Sequence, residues 1–373
     1  MKKAFIYKLR LNRAQEAKLS EMLETCRHLY NHALAERKEA WEQEQQSVCF
    51  AAQSASLPLL KQENAYLPRV HSQVLQDVLH RVDRAYQAFF RRCKTGEKPG
   101  YPRFRGRGWY DSFTFPQWDN GAKFADGRLV LSKIGSLRVC TDRPLEGQPK
   151  TCSIIRRADG WYATIVCEVE PVALEPTGET VGIDLGIETF ATLSTGEQVA
   201  NPKHYRRAEQ VLKKAQRRVS RRKKGSNRRR KAKVLLAKAH LKVKRARLDH
   251  AHKVARELVE RFDVLHVEKL NIRGMLKNHP LAKSISDAGW GLFLNILRSK
   301  AASAGKTVVE VNPAYTSQVC SHCGERVPKK LSQRWHSCPY CACSLHRDHN
   351  AALNILQKGG GTAIGERLAT ATS

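Results

Sequence analysis

Hydrophobic positions along this chain change period several times, and each change marks an element. Residues 4–11 alternate, with Phe5, Tyr7, Leu9 and Leu11 on one face, which predicts a strand. Asn12 then stands as a helix N-cap with Gln15 in the capping-box position. Leu19, Met22, Leu23, Cys26, Leu29, Tyr30, Ala33 and Leu34 follow at three-and-four spacing, the stripe of an amphipathic helix. Residues 42–66 are rich in Gln and Ser without a period, and read as a linker. A second helix starts near Ser72 and carries Val74, Leu75, Val78, Leu79, Val82, Tyr86, Phe89 and Phe90. Residues 94–109 mix Gly, Pro, Arg and aromatics, as a phosphate-contacting loop would. Residues 110–170 look β-rich, with 154–157 and 161–168 flanking the turn Ala158-Asp159-Gly160.

From Thr180 the order changes. Short strands are expected at 181–187, 189–194 and 197–200, then a long basic helical stretch at 203–262. A strand at 263–268, a helix near 286–304 and a strand at 307–312 follow, and a last helix runs from about 348 to 357. With the cysteine-rich segment set aside, the order is βββ-α-β-α-β-α, that of the ribonuclease H fold, an analogy at the level of fold only. Within the basic stretch, Tyr205, Ala208, Leu212, Ala215 and Val219 step by three and four. After Gly225-Ser226-Asn227, Val234, Leu241, Leu248, Ala255 and Phe262 recur every seven residues. Ala237, Ala251 and Leu258 take the partner position, with Lys244 the exception. Two seams joined by a turn predict an antiparallel helical hairpin.

Charge then narrows the partner. The 373 residues carry 66 Lys and Arg against 35 Asp and Glu, a net charge of +31. Self-repulsion of that size is tolerated when a polyanion neutralises it, and nucleic acid is the usual one. Residues 201–250 hold 21 basic and 2 acidic side chains, so the hairpin reads as a phosphate-binding rail. No run approaches the roughly 18 apolar residues of a membrane helix. The start, MKKAFIYKLRLN, has no apolar signal-peptide core, so a cytoplasmic location is expected, with nucleoid association on target.

Three carboxylates are candidates for chemistry. In Val181–Ile187, period-two alternation puts Gly182, Asp184 and Gly186 on one face. An acid flanked by two residues without side chains suggests open space for a metal ion and a phosphodiester. Glu268 ends the strand Val264-Leu265-His266-Val267, where α/β active sites gather. Asp348 opens the last helix. In the inferred fold the three can converge and hold two Mg ions about 3.5–4 Å apart, one activating water and one stabilising the leaving oxygen. Carboxylate oxygens are the hard ligands Mg prefers.

Of eleven cysteines, Cys320, Cys323, Cys338, Cys341 and Cys343 crowd together. The two Cys-x-x-Cys pairs, 320/323 and 338/341, predict one structural tetrahedral Zn site with Zn–S near 2.3 Å. Cys343 and nearby histidines are poorer-spaced competitors.

These segments together resemble the TnpB (OrfB) proteins of insertion sequences. The resemblance is carried by GIDLG (182–186), VEKLNIRGM (267–275), DAGWGLFLNILRSKAASAGKTVVEV (287–311), NPAYTSQVCSHCG (312–324) and CPYCACSLHRDHNAALNIL (338–356). KLRLNRAQEAKL and YPRFRGR extend it to the N-terminal half. It implies an RNA-guided DNA endonuclease with a RuvC-like nuclease domain, related to type V CRISPR effectors. A transposon-derived noncoding RNA would be the guide, and a short motif beside the double-stranded DNA target would be recognised before both strands are cut. The implied catalytic and Mg-binding acids are Asp184, Glu268 and Asp348, and the implied Zn ligands Cys320, Cys323, Cys338 and Cys341. Residues 276–290 would be a mobile lid. Two departures stand out: Leu345-His346 where the family often has His-Asp, and Ala342-Cys343 where Gly usually follows the second Cys pair.

The implied organisation is a β-barrel-like wedge module (1–11 and 105–179), a helical recognition insertion (12–104), a RuvC-like, ribonuclease H-like α/β domain (180–318 and 344–357), a zinc ribbon that binds target nucleic acid (319–343) and a flexible tail (358–373). Expected nucleic-acid contacts are Arg103, Arg105 and Arg107 in the loop, and Arg217, Arg218, Arg221, Arg222, Lys223, Lys224, Arg228, Arg229 and Arg230 on the hairpin. Trp109, Tyr110, Phe113 and Phe115 could stack on bases or fill a strand core. A monomer with one guide RNA is expected. Two alternatives use the same features: a nuclease-inactive RNA-guided repressor, and a transposase acting without RNA.

Overall fold

The computed structural model describes residues 1–361 apart from 126, 142, 331 and 332; most of the tail expected to be flexible, 362–373, lies outside the described residues. The chain divides into two compact units, Met1–Glu170 and Pro171–Ser373.

In the first unit, β1 (Lys2–Arg10) leads into α1 (Arg13–Glu44), α2 (Phe50–Ala55), α3 (Leu57–Glu63) and α4 (Ser72–Lys94). Six strands follow: β2 (Ser112–Phe115), β3 (Ala122–Ala125), β4 (Arg128–Leu131), β5 (Gly135–Cys140), β6 (Gln148–Arg157) and β7 (Gly160–Glu168). The α1 start is the anticipated capping box. Asn12 Oδ1 accepts from the Gln15 N–H at 2.8 Å, and Gln15 Oε1 accepts from the Asn12 N–H at 3.1 Å. The apolar stripes of α1 and α4 and the inward face of the sheet share one core, including Phe5, Leu19, Val78, Phe113 and Ile165.

Three expectations change here. The sheet order is β2-β6-β7-β1-β5-β4-β3, so β2 and β3 are edges and the described strands form an open sheet, not a closed barrel. The segment read as a linker is largely helical. Its order comes from a buried polar group: Gln53 accepts from Arg37 Nε at 2.8 Å and donates to the Ala33 carbonyl at 2.9 Å. A helix docked through a glutamine shows no apolar period. Finally, Tyr110, Phe113 and Phe115 are core residues, whereas Trp109 is 79% exposed and alone of the four is free to stack on a base.

The second unit begins with β8 (Thr180–Asp184), β9 (Thr189–Leu193) and β10 (Gln198–Ala200), then α5 (His204–Ser220) and α6 (Asn227–Arg261). β11 (Val264–Glu268), α7 (Ile272–Met275), α8 (His279–Ala288), α9 (Trp290–Ser303) and β12 (Thr307–Val311) follow. β13 (Trp335–Ser337), β14 (Ser344–His346) and α10 (Arg347–Lys358) complete it. The main sheet runs β10-β9-β8-β11-β12. β8, β11 and β12 are parallel, and β9 and β10 are antiparallel neighbours. This is the element order read from the sequence. Residues 171–179, placed with the β-rich module by sequence, hydrogen-bond within this unit instead. Leu174 N–H donates to the Ala304 carbonyl at 3.0 Å, and Gly178 N–H donates to Asp263 at 2.7 Å.

α5 and α6 form the expected antiparallel hairpin, with Ser226 Oγ capping α6 by accepting from the Arg229 N–H at 3.2 Å. The heptad reading holds only at the C-terminal end of α6, where Ala251, Ala255, Leu258 and Phe262 are buried. Further up, Val234 is exposed and Ala232 and Val243 are buried instead. A straight helix drifts about 20° per heptad from a strict seven-residue repeat. The buried stripe therefore follows the 3.6 period and leaves the heptad. Among the described residues no helix is long and apolar enough to cross a membrane.

Candidate catalytic and metal centres

The parallel pairing of β8 with β11 ends at Ile183 opposite Val267. Asp184 and Glu268 are the next residue on each strand, so two acidic side chains leave the same end of the sheet side by side. The third acid arrives on α10. A Cβ built on Gly182 would lie 2.1 Å from the Ala352 carbonyl oxygen and 2.8 Å from the Leu356 nitrogen. The helix therefore crosses β8 in backbone contact. One built on Gly186 would lie 2.7 Å from the Thr189 carbonyl oxygen. This corrects the reading of the glycines as open space for substrate: the protein's own backbone fills it, and Gly182 is what lets α10 bring Asp348 in.

The electrostatics agree with convergence. The Asp184 carboxyl is held well above the usual aspartate range, first by burial and then by the negative charges of Glu268 and Asp348, with Arg347 opposing. Glu268 is raised by burial, while a hydrogen bond from Thr316 and the charge of Lys358 oppose. Thr316 Oγ1 lies 2.5 Å from Glu268 Oε1. Asp348 sits in the first turn of α10 with its side chain 15% exposed. Its N–H donates to His346 Nδ1 at 3.3 Å, so the histidine that departs from the family pattern serves as the helix cap. An aspartate whose affinity for a proton is raised by burial and by two neighbouring acids marks a site short of positive charge. Oxygen donors in that state fit a hard divalent cation.

The four thiolates predicted for Zn do come together. Among the described residues theirs is the one group of three or more such side chains with ligand atoms all within 4.8 Å of one another; the three acids are more widely spaced. Cys320 and Cys341 Sγ are 3.7 Å apart, and Cys323 and Cys338 Sγ 3.5 Å. A tetrahedron with Zn–S near 2.3 Å has an edge of about 3.8 Å, close to these two separations, so the donor set fits Zn. Cys343 contributes its backbone, accepting from the Cys338 N–H at 2.8 Å. The two knuckles differ at the residue that follows each Cys pair. Gly324 closes the first at φ +78°, while Ala342 closes the second at φ +55°, a left-handed conformation that costs a non-glycine residue about 1–2 kcal/mol.

Sequence reasoning missed the groups that tie these centres together. Asn350 and Asn354 are buried on α10. Asn350 Nδ2 donates to the Val319 carbonyl at 2.7 Å, and its Oδ1 accepts from the Ser321 N–H at 3.0 Å. Asn354 Nδ2 donates to the carbonyls of Thr316 at 2.8 Å and Val319 at 2.7 Å. Two asparagines four apart on an otherwise apolar helical face were the available signal. Asp287, also missed, is buried at the end of α8 and accepts from the Tyr205 N–H at 2.7 Å, the Arg206 N–H at 3.1 Å and Arg247 Nη2 at 2.8 Å. It caps α5, whose own Lys203 provides no side-chain cap. The segment expected as a mobile lid thus contains a helix fastened to the hairpin.

Of the expected nucleic-acid contacts, Arg103, Arg105 and Arg107 are exposed, and the Arg105 backbone is held on α1 by Asn31 at 2.7 Å. Arg217, Arg218, Arg221, Arg222, Lys223, Lys224, Arg228 and Arg230 are exposed on the hairpin. Arg229 differs: it is half-buried and donates to the Arg222 carbonyl at 2.8 Å, so it closes the turn.

Comparison with known proteins gives these features a family. The OrfB_IS605 model, described as a probable transposase, matches residues 164–279. A Cas12f1-like TNB domain matches 290–355, and an OrfB_IS605 helix-turn-helix domain matches 1–46. A Streptomyces pristinaespiralis protein named "Putative RNA-guided DNA endonuclease" is 37% identical over 96% of this chain and 90% of its own length. An Escherichia coli K12 protein, "Putative RNA-guided DNA endonuclease InsQ", is 30% identical over 95% of this chain and 92% of its own. Among solved structures, the mini-RNA-guided endonuclease CRISPR-Cas_phi3 aligns over 97% of this chain and 93% of that one, with 10% identity and a TM-score of 0.49. Similarity of this order over nearly the whole chain makes it a member of the TnpB (OrfB) family.

Proposed function

We propose that this protein is an RNA-guided, metal-dependent endonuclease of double-stranded DNA, with a RuvC-like site formed by Asp184, Glu268 and Asp348. The observation that carries the reading is the convergence of these acids from β8, β11 and α10. Asp184 is half-buried, and its carboxyl is held well above the usual range by desolvation and by the charge of the other two. Fold alone has no use for such a group, and its instability is relieved by a cation. Mg bound there would supply an activated water and charge stabilisation at the leaving oxygen of an in-line displacement. The chain's own part is to aim three carboxylates at one place, to hold Glu268 through Thr316, and to keep Asp348 at a helix start capped by His346. The four cysteines would hold one Zn whose role is to fold 320–341 and anchor it to α10. With four sulfurs it would have no open position for chemistry.

The exposed arginines and lysines of the hairpin and the 94–109 loop would contact the backbone of guide RNA and heteroduplex, with base pairing selecting the target and the protein reading shape and a short adjacent motif. Both similar proteins carry RNA-guided DNA endonuclease in their names. A transposon-derived guide is the natural source for a protein of this family. The reading is tested by purifying the protein from cells that also express its flanking DNA, sequencing the bound RNA, and adding Mg with a plasmid library matched to the RNA's variable end. One discrete RNA and guide-matched cleavage next to a fixed motif are expected. A discrete RNA with stable binding and no cleavage would turn the protein into a repressor, and activity that survives ribonuclease would turn it into a transposase.

A further inference from the structure

We infer that Thr316 is a positioning residue for Glu268, and that it couples the acidic site to the base of the cysteine knuckle. The inference rests on the nuclease reading for its functional consequence but on the structure for its geometry. Thr316 is 4% exposed and lies five residues beyond β12, between that strand and Cys320. Its hydroxyl is 2.5 Å from Glu268 Oε1 and 3.1 Å from the Pro313 carbonyl. A hydroxyl has one proton, and a carboxylate oxygen in a buried setting is the stronger acceptor, so the proton goes to Glu268. This bond occupies one oxygen of the carboxylate and restrains its rotamer, which would leave Oε2 as the donor to a metal. Among the described hydrogen bonds, the one from Thr316 is the bond that reaches the Glu268 side chain.

Thr316 is in turn held from behind. Asn354, 3% exposed, donates to the Thr316 carbonyl at 2.8 Å and to the Val319 carbonyl at 2.7 Å from the same amide nitrogen. Asn350 holds Val319 and Ser321 in the same manner. Both asparagines project from α10, the helix that carries Asp348. One strap of chain, 316–321, thus touches Glu268 at one end and becomes the first zinc knuckle at the other, and it is laced to the helix bearing the third acid. The register of Glu268 against Asp348 is set through this strap. Groups that orient a metal ligand through its second oxygen typically cost 10–100-fold in metal affinity or activity when removed.

The test compares Thr316→Val, which keeps shape and removes the hydroxyl, with Thr316→Ser, which keeps the hydroxyl. Mn ion is the probe, titrated into the full chain freed of nucleic acid at high salt and followed by loss of the free aquo-ion signal in electron paramagnetic resonance. Thr316→Val is expected to weaken the tightest Mn site about 10–100-fold, with Thr316→Ser near wild type, and Zn content and guide RNA retention unchanged. Mg titration of guide-matched plasmid cleavage should show the same order, as a rise in the Mg needed for half-maximal rate. Equal Mn affinity in Thr316→Val and wild type would overturn the inference. So would a serine variant as impaired as the valine one, because the role would then belong to the methyl group and packing. If the wild-type complex binds Mn at this site but cuts no DNA, the nuclease reading fails while the Thr316 inference is still decided by the Mn data.

Discussion

Gly182→Ala isolates the contact that delivers the third acid. The added methyl would sit 2.1 Å from the Ala352 carbonyl oxygen and 2.8 Å from the Leu356 nitrogen, both backbone atoms of a regular helix. Ordinary contact begins near 3.5 Å, so α10 must retreat from β8 by about 1.4 Å. The φ of Gly182 is not in the left-handed region, so the substitution adds no backbone strain of its own. Its cost is overpacking, about 1–3 kcal/mol, partly offset by about 0.4–1 kcal/mol from a stiffer unfolded chain. A displacement of about 1 Å at a catalytic group costs on the order of 100-fold in rate. The assay is guide-matched plasmid cleavage by the purified protein–RNA complex at saturating Mg, with thermal unfolding of the same preparation. The expected result is a folded complex that retains its RNA and cuts about 100-fold more slowly. Gly291→Ala, where the Cβ would meet only Ile272 Cδ1 at 3.5 Å, an ordinary contact, should cut normally. Cleavage by Gly182→Ala at the wild-type rate would refute the claim that α10 seated on β8 sets the position of Asp348.

Four further outcomes follow from other parts of the molecule. Asp184→Asn should abolish cleavage yet raise the melting temperature of metal-free protein at neutral pH: the raised carboxyl favours folding only while protonated, so its penalty grows as pH climbs through its folded pKa, and a melting temperature that does not rise would contradict the burial of charge. Asp263 is shifted the other way, below the usual range, by Lys306 and by backbone bonds from Thr177 and Gly178; its contribution is present above about pH 4 and lost as pH falls, so the wild-type acid-unfolding curve should flatten in Asp263→Asn. Ala342→Gly relieves the left-handed alanine of the second knuckle and should slow Zn loss to a chelator, with a gain of about 1 kcal/mol, whereas faster loss would show that the strain is not there. Asp287→Ala removes the cap of α5 and leaves Arg247 without its buried partner, so unfolding of the second unit should come several degrees earlier and guide RNA should bind more weakly, as measured by melting and filter binding.

The elements that the sequence made legible are those built on apolar period or local capping. The α1 capping box, the β8 alternation and the β11 strand all follow from rules that act within a few residues. The four cysteines were legible because paired thiolates at fixed spacing have few other uses. What stayed hidden depends on polar groups meeting across long separations. Gln53 ordered a segment that looked like a linker, because one buried amide replaced a stripe of leucines. Asp287 joined α8 to α5 across more than eighty residues, a contact that leaves no periodic trace. Thr316 gave no signal beyond its place in a family-like string. Gly182 was read as open space for substrate, but the body that occupies it is α10. The heptad on α6 failed for a geometric reason, since seven residues do not close two turns of a straight helix.

The central claim is that Asp184, Glu268 and Asp348 act as one site for guided DNA cleavage. The most direct measurement sets the wild-type protein–RNA complex beside Asp184→Ala in a plasmid cleavage assay with Mg, on a target matched to the bound RNA, with RNA retention measured in both. Cutting of both strands by the wild type, and none by a variant that still holds its RNA and binds the target, is the predicted result. Cutting by Asp184→Ala at a comparable rate would place the chemistry elsewhere and contradict the account.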